Sequence, residues 1–176
     1  MRSARWIISG FVTVALLVGA AGCTRPNATV VDAFPEARRA APWVLTEPVW
    51  SGSFADAESA LGLDAAQWGL FNPQHVWLAV YQHEDAPSRK MTVRIFSFET
   101  AAQAAEAYAR SRPHEAEVFD AGDEGCWTQI GVMFVWDRLV CEVFGQAATL
   151  ESEVQAATLS GYLIKHMPPG LPDAPR

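Results

Sequence analysis

The stretch Gly131-Val132-Met133-Phe134-Val135-Trp136-Asp137-Arg138-Leu139-Val140-Cys141-Glu142-Val143-Phe144 decides the fold. Two runs rich in β-branched and aromatic residues flank a polar pair, Asp137-Arg138. That is the pattern of two antiparallel strands joined by a short turn. With the turn at that pair, Phe134 faces Cys141 and Val132 faces Val143, so both strands contribute to one apolar surface. Side chains alternate along a strand, which puts Glu142 on the opposite surface with Met133.

Working outward, His75 to His83 repeats the theme. Val76, Leu78 and Val80 fall on one face, and Trp77, Ala79 and Tyr81 on the other. Both faces are apolar, which suits a central strand covered on two sides. Met91 to Phe98 sets Met91, Val93 and Ile95 against Thr92, Arg94, Phe96 and Phe98. Glu84 to Lys90, with Pro87, is the expected polar loop of the hairpin between them. A shorter strand is expected at Glu115–Phe119.

The helical segments carry start signals. Asp64-Ala65-Ala66-Gln67 reads as a capping box that opens a short helix, closed before Asn72-Pro73. Thr100-Ala101-Ala102-Gln103 reads as another, with Ala101, Ala104, Ala105 and Tyr108 on one face and Pro113 as the stop. Ser152-Glu153-Val154-Gln155 is a third, opening a helix from about Glu151 to His166 with Leu150, Val154, Ala157, Gly161 and Ile164 on one side. The predicted fold is α+β: an antiparallel sheet of about five strands with two main helices packed on one face. A hairpin plus helix occurs twice in order, without a residue-level repeat. By pattern, residues 75–167 resemble the small sheet-and-helix domains of unknown function found in many bacterial lipoproteins, a resemblance that implies no activity.

The N-terminus has a different character. Arg2 and Arg5 precede an uncharged run from Trp6 to Ala21. A spanning helix needs about 20 apolar residues, so the run fits the apolar region of a signal peptide better than an anchor. It ends in the small residues Gly19-Ala20-Ala21-Gly22, followed by Cys23. Ala20-Ala21-Gly22-Cys23 resembles the lipobox of bacterial lipoproteins, with Ala20 where that family usually has Leu. The resemblance implies cleavage before Cys23, lipidation of its thiol, and a membrane partner through that lipid (palmitate-type chains). Two or more acyl chains hold stably, at about 0.8 kcal/mol per buried CH₂. Thr24 is not the inner-membrane-retaining Asp of the family, which leans toward an outer membrane if the cell has one. Ordinary cleavage after Gly22 and an uncleaved anchor are the alternatives. All three readings place residues 24–176 outside the cytoplasm, in the cell envelope.

The expected organisation is a signal peptide (1–22), a lipidated N-terminus and proline-punctuated tether (23–48) in which Trp43-Val44-Leu45 is a short strand or a plug on the domain, a single α+β domain (49–167) and a Pro-rich tail (168–176). Setting aside Arg2 and Arg5, the chain carries 20 acids against two fewer than 13 bases, a net charge of about −9. The acids are dispersed and no basic cluster opposes them, so a nucleic-acid partner is disfavoured. Residues 24–176 also lack an electrostatic pull toward anionic lipids.

Cys126 and Cys141 remain as an even pair in an oxidising compartment, either bridged or present as two inert buried thiols. His75, His83, His114 and His166 lack metal-ligand spacing, and Asp120, Asp123 and Glu124 lack the alternating ligand pattern of a calcium loop, so no metal or other cofactor is expected. No Gly-x-Ser-x-Gly elbow or phosphate-binding glycine loop is present. Among the tryptophans, Trp77 and Trp136 are expected in the core, while Trp50, Trp68 and Trp127 near turns are the candidates for an exposed binding patch, with core packing the plainer reading for each. Such a patch would take an envelope protein or a small apolar or sugar ligand. The expected function is therefore a non-catalytic binding or structural domain. The alternative is an envelope enzyme whose site assembles only in three dimensions, from His75, His83, Asp123 and Glu124.

Overall fold

A computed structural model describes residues 29–36, 40–61 and 64–168. Its strands are β1 (Trp43–Leu45), β2 (Trp50–Ser53), β3 (His75–His83), β4 (Ala86–Ser97), β5 (Glu124–Thr128), β6 (Gly131–Trp136) and β7 (Leu139–Gly145). They form one antiparallel sheet in the order β1-β3-β4-β7-β6-β5. β2 lies on the same edge of β3 as β1, farther along the strand. The helices are α1 (Phe54–Leu61), α2 (Asp64–Gly69), α3 (Ala101–Ser111) and α4 (Leu150–His166). The fold is α+β, with more strands and more helices than the sequence patterns led us to expect.

The deciding hairpin forms in the expected register, with Phe134 opposite Cys141 and Val132 opposite Val143. Asp137 takes a left-handed φ of 49° at the turn, a conformation that a short polar side chain tolerates. The Asp137 N–H donates to the Asp123 carboxylate at 2.6 Å. The other hairpin is tighter than expected. Its turn is Glu84-Asp85, and Ala86 already pairs with His83. Pro87 is tolerated because β7 ends its pairing at Met91, leaving the start of β4 an edge where a missing donor costs little.

Three expectations about elements are corrected. Glu115–Phe119 is not a strand of the sheet. It lies along the free edge of β5 through one bridge, Val118 to Cys126, with Phe119 N–H on Gly125 O and Trp127 N–H on Glu117 O. The cap of α4 is Thr149, whose hydroxyl accepts from Ser152 N–H at 3.1 Å, so Ser152 is inside the helix. By contrast, Thr100 and Gln103 make the expected reciprocal box on α3. Part of the stretch expected as a tether is folded: Val30, Ala33, Phe34 and Ala40 are buried, and the Tyr81 hydroxyl donates to Pro35 O at 3.1 Å, while Trp43–Leu45 takes the short-strand form, one of its two expected readings.

The helices cover both faces of the sheet, not one. Tyr81, Met91, Val93, Ile95, Phe134 and Cys141 pack with Ala156, Leu159 and Leu163 of α4. Val76, Phe96, Met133, Val135 and Val140 pack with Ala57 of α1, Ala65 and Trp68 of α2, and Ala104, Ala107 and Tyr108 of α3. Central strands that are apolar on both sides require two covering layers. The order hairpin-helix-hairpin-helix is thus no spatial symmetry. A two-fold axis relating antiparallel β4 to β7 stands perpendicular to the sheet and would keep both helices on one face.

α4 also buries a different face from the one expected. Ala156, Leu159, Ser160 and Leu163 point inward, followed by Met167, while Leu150 and Val154 are exposed. Both sets obey helical spacing, so the pattern alone did not discriminate between them.

Two glycines separate backbone need from habit. Gly122 has φ 65°, and a Cβ there would sit 2.1 Å from Val135 O. Gly161 lies in α4 with nothing within 4 Å of an added Cβ. Gly122→Ala is expected to cost about 2 kcal/mol or more, and Gly161→Ala to add about 0.5–1 kcal/mol. Denaturant midpoints that move in opposite directions would bear this out.

Candidate functional site: a cleft over a half-buried ion pair

α1 to α3 cover only part of their face. The cross-strand row Val76, Phe96, Val140, Val135 runs beneath them. The next row along the strands is Leu78, Arg94, Glu142, Met133, and the next is Val80, Thr92, Phe144, Gly131. Where the helical layer stops, at Trp68 and Ser111, a cleft of about 300 Å³ opens onto the sheet. Arg94, Glu142, Phe144 and Ile130 line it with them.

Arg94 and Glu142 are direct cross-strand partners, with Arg94 Nη1 3.5 Å from Glu142 Oε2. Their side chains are only 12% and 17% exposed. The guanidinium lies 4.5 Å from the centroid of the Phe144 ring, within cation–π range. The Ser111 hydroxyl at the rim is buried without a hydrogen-bond partner. Desolvating two charges costs several kcal/mol per ion, and apolar residues of similar volume commonly serve stability as well or better. The cleft therefore offers a cation, a carboxylate and aromatic walls, a combination that accommodates an apolar body with a polar end.

A second cavity, about 280 Å³, lies at the start of α4 between Trp43, Arg89 and Thr149. Arg89 Nη1 donates to Glu151 Oε2 at 2.5 Å, and His83 Nε2 is 3.7 Å from Glu151 Oε1. The Arg89–Glu151 pair is largely exposed, and such pairs contribute little to stability.

The three candidate tryptophans pack against the cores and do not form a shared exposed patch. Trp68 is buried and stacked on Phe96 at 4.1 Å between centroids, and only its edge reaches the cleft. Trp50 is half-buried against the same core cluster, while Trp127 packs on Phe119 on the other face of the sheet. Trp77 and Trp136, expected in the core, are half-buried at its margin.

Cys126 and Cys141 are free and buried on opposite faces, so of the two readings of the pair the structure has the two buried thiols and not the bridge. Cys126 pairs with Met133 and Cys141 with Phe134, so β6 lies between them. Two inter-strand steps of about 4.8 Å exceed the roughly 7 Å Cα limit of a bridge. Burial pushes both thiols up, Cys141 strongly and with help from Glu142, so the reactive thiolate is disfavoured. Burial also raises the Tyr108 hydroxyl, which sits beside Cys126 without a well-formed hydrogen bond.

His75, His83, Asp123 and Glu124 are not brought together. The two histidines stand at opposite ends of β3. His75 is bonded to the Ser51 hydroxyl at 2.8 Å, and burial lowers its pKa. Asp123 caps the β6–β7 turn, and Glu124 pairs with Arg112 at 2.7 Å. Among the described residues no group of three or more His, Cys, Asp or Glu is placed to hold a metal ion, and no helix is long and apolar enough to cross a membrane. Cys23 lies outside the described residues. The chain was compared with family models, curated proteins and solved structures, and none matches.

Sequence reasoning missed Arg94, Glu142 and Phe144 as a unit. A charge in each of two apolar strands was the available signal, but β4 and β7 belong to different hairpins. Arg94→Ala is expected to cost about 2–4 kcal/mol by stranding Glu142, whereas Arg94→Met with Glu142→Leu should return most of that loss. Chemical denaturation of the two variants checks it; equal losses would rule it out.

Proposed function

We propose that this chain is an exported, lipid-anchored envelope protein whose α+β domain is a non-catalytic binding module, with the Arg94–Glu142 cleft as its binding site. The observation that carries the binding reading is an ion pair kept half-buried where the helical layer leaves the sheet open. A domain that needed only stability would gain from closing that gap with apolar residues. The wall of Trp68, Ile130 and Phe144 suits the apolar part of a small ligand, and the pair suits its polar end. The non-catalytic reading is supported by the dispersal of the four polar residues that would have made an active site, and by two thiols held in their protonated form.

The anchoring reading rests on the sequence: a short apolar run, small residues, and Cys23 directly after them. Outer-membrane placement, where there is one, follows from Thr24. The first described core residue is Val30, so seven residues from Cys23 would already bring the folded unit to the lipid. The domain would then sit close to the membrane surface.

Two experiments test this. Metabolic labelling with a fatty-acid probe should mark the wild type and not Cys23→Ser; equal labelling would remove the lipoprotein reading. Anilinonaphthalene sulfonate, an apolar anion, should gain fluorescence with the native protein and lose most of that gain with Phe144→Ala or Ile130→Ser. Fluorescence indifferent to both substitutions would exclude the cleft as the binding site.

A further inference from the structure

α4 carries two apolar faces, and the fold uses one. Its other face is Leu150, Val154, Ala157, Gly161 and Ile164, spaced by four, three, four and three residues, and only Ile164 of these packs against the described core. That is the seam spacing of helices that pair. Leu150 is 76% exposed and Val154 52%, two of the few large hydrophobic residues so exposed among the described residues. Ala157 and Ile164 are half-buried at the margin, and Gly161 leaves open space where a side chain would be.

We infer that this face of α4 docks onto the same face of a second copy, with the two helices antiparallel. The seam is complementary to itself in that direction only. Centred on Ala157, the antiparallel register puts Leu150 of one copy opposite Ile164 of the other, and Val154 opposite Gly161. Bulk in the first half of the helix thus meets the notch in the second half. A parallel pairing would oppose Leu150 to Leu150 and leave the two notches facing each other.

Charge agrees with the direction. The first turn of α4 carries Glu151 and Glu153, and the last carries Lys165 and His166. Antiparallel copies bring each acidic end to the other's basic end, and their helix dipoles align favourably. Lys165 is exposed and makes no ion pair among the described residues. It lies on the Glu151 flank of the seam, which is the flank that meets Glu151 of the second copy, where it would join the Arg89–Glu151 pair already present in each chain. The Ala157–Gly161 pair lets the backbones approach closely at the crossing.

The contact is small. α4 has 17 residues, a length of about 25 Å at 1.5 Å per residue. One helix face of that length buries less than the roughly 800 Å² per partner of a standard interface. The association is accordingly weak and concentration-dependent. It stands on α4 alone and does not require the lipid anchor, although confinement to a membrane would raise the effective concentration.

The test uses the full chain in detergent at high protein concentration, cross-linked with a short bis-maleimide. Ala157→Cys should give a covalent dimer well above the wild-type background left by the native cysteines. Gln155→Cys, off the seam, should not. Adding Gly161→Leu to Ala157→Cys should abolish the dimer and leave the thermal midpoint of the monomer unlowered, since nothing among the described residues lies within 4 Å of a Cβ at that position. Three results would overturn the proposal: no product above background with Ala157→Cys, dimer persisting with Gly161→Leu, or residue 157 joined only to a different protein. Fatty-acid labelling of Cys23 is scored separately in the same preparations, so loss of the anchor and loss of the dimer are distinguishable.

Discussion

A sheet whose central strands are apolar on both sides cannot be satisfied by one layer of helices. β4 shows the constraint most directly. Met91, Val93 and Ile95 are fully buried on one side, and Phe96 on the other. At about 25 cal/mol per Å² of apolar surface removed from water, leaving either side wet would forfeit several kcal/mol. α4 closes one face and α1 to α3 close the other. Val30, Ala33, Phe34, Ala40 and Trp43 are drawn into the same scheme and extend the cover that α4 gives to that face.

The same constraint explains where the molecule is incomplete. α1 and α2 are short, with 8 and 6 residues, so the layer they make with α3 ends before the strands do. Beyond that boundary the sheet residues change character, from Phe96 and Val140 to Arg94 and Glu142, and then to Thr92 and Phe144. A buried row of β-branched and aromatic residues gives way to a charged pair with water on one side. The cleft is thus a consequence of layer length, and its chemistry is what the strands present where cover runs out.

Local pairing and alternation were legible in the sequence because each depends on neighbours in the chain. The register of β6 on β7, the two faces of β3, and the Thr100 cap all rest on contacts within about ten residues. What was illegible depends on partners distant in the chain. Asp137 closes its turn with Asp123, fourteen residues away. Trp68 reads as a turn residue until Phe96 is found beneath it. Cys126 and Cys141 look like a natural pair in an oxidising compartment until β6 is seen between them. Arg94 and Glu142 meet only because the second strands of two separate hairpins are adjacent.

α4 belongs to neither group. Its apolar positions were read correctly as apolar, and the wrong set was assigned to the core. Ala156, Leu159, Ser160 and Leu163 include a serine whose hydroxyl is buried without a partner, which lowers the apparent hydrophobicity of the face that is actually buried. The outward set contains no polar member at all. The face it buries includes that serine, while the first half of the other face leaves Leu150 and Val154 in water, and Ile164 at the far end packs against the core margin. Selection for solubility alone would have replaced Leu150 and Val154, which hold no contact in the core. The orientation is imposed by Leu159 and Leu163 filling the space over Phe134 and Val143, and the cost of that orientation is an apolar seam left on the surface. The two properties together, a core that fixes the helix and a seam it does not consume, make α4 the element through which this domain would meet its own kind.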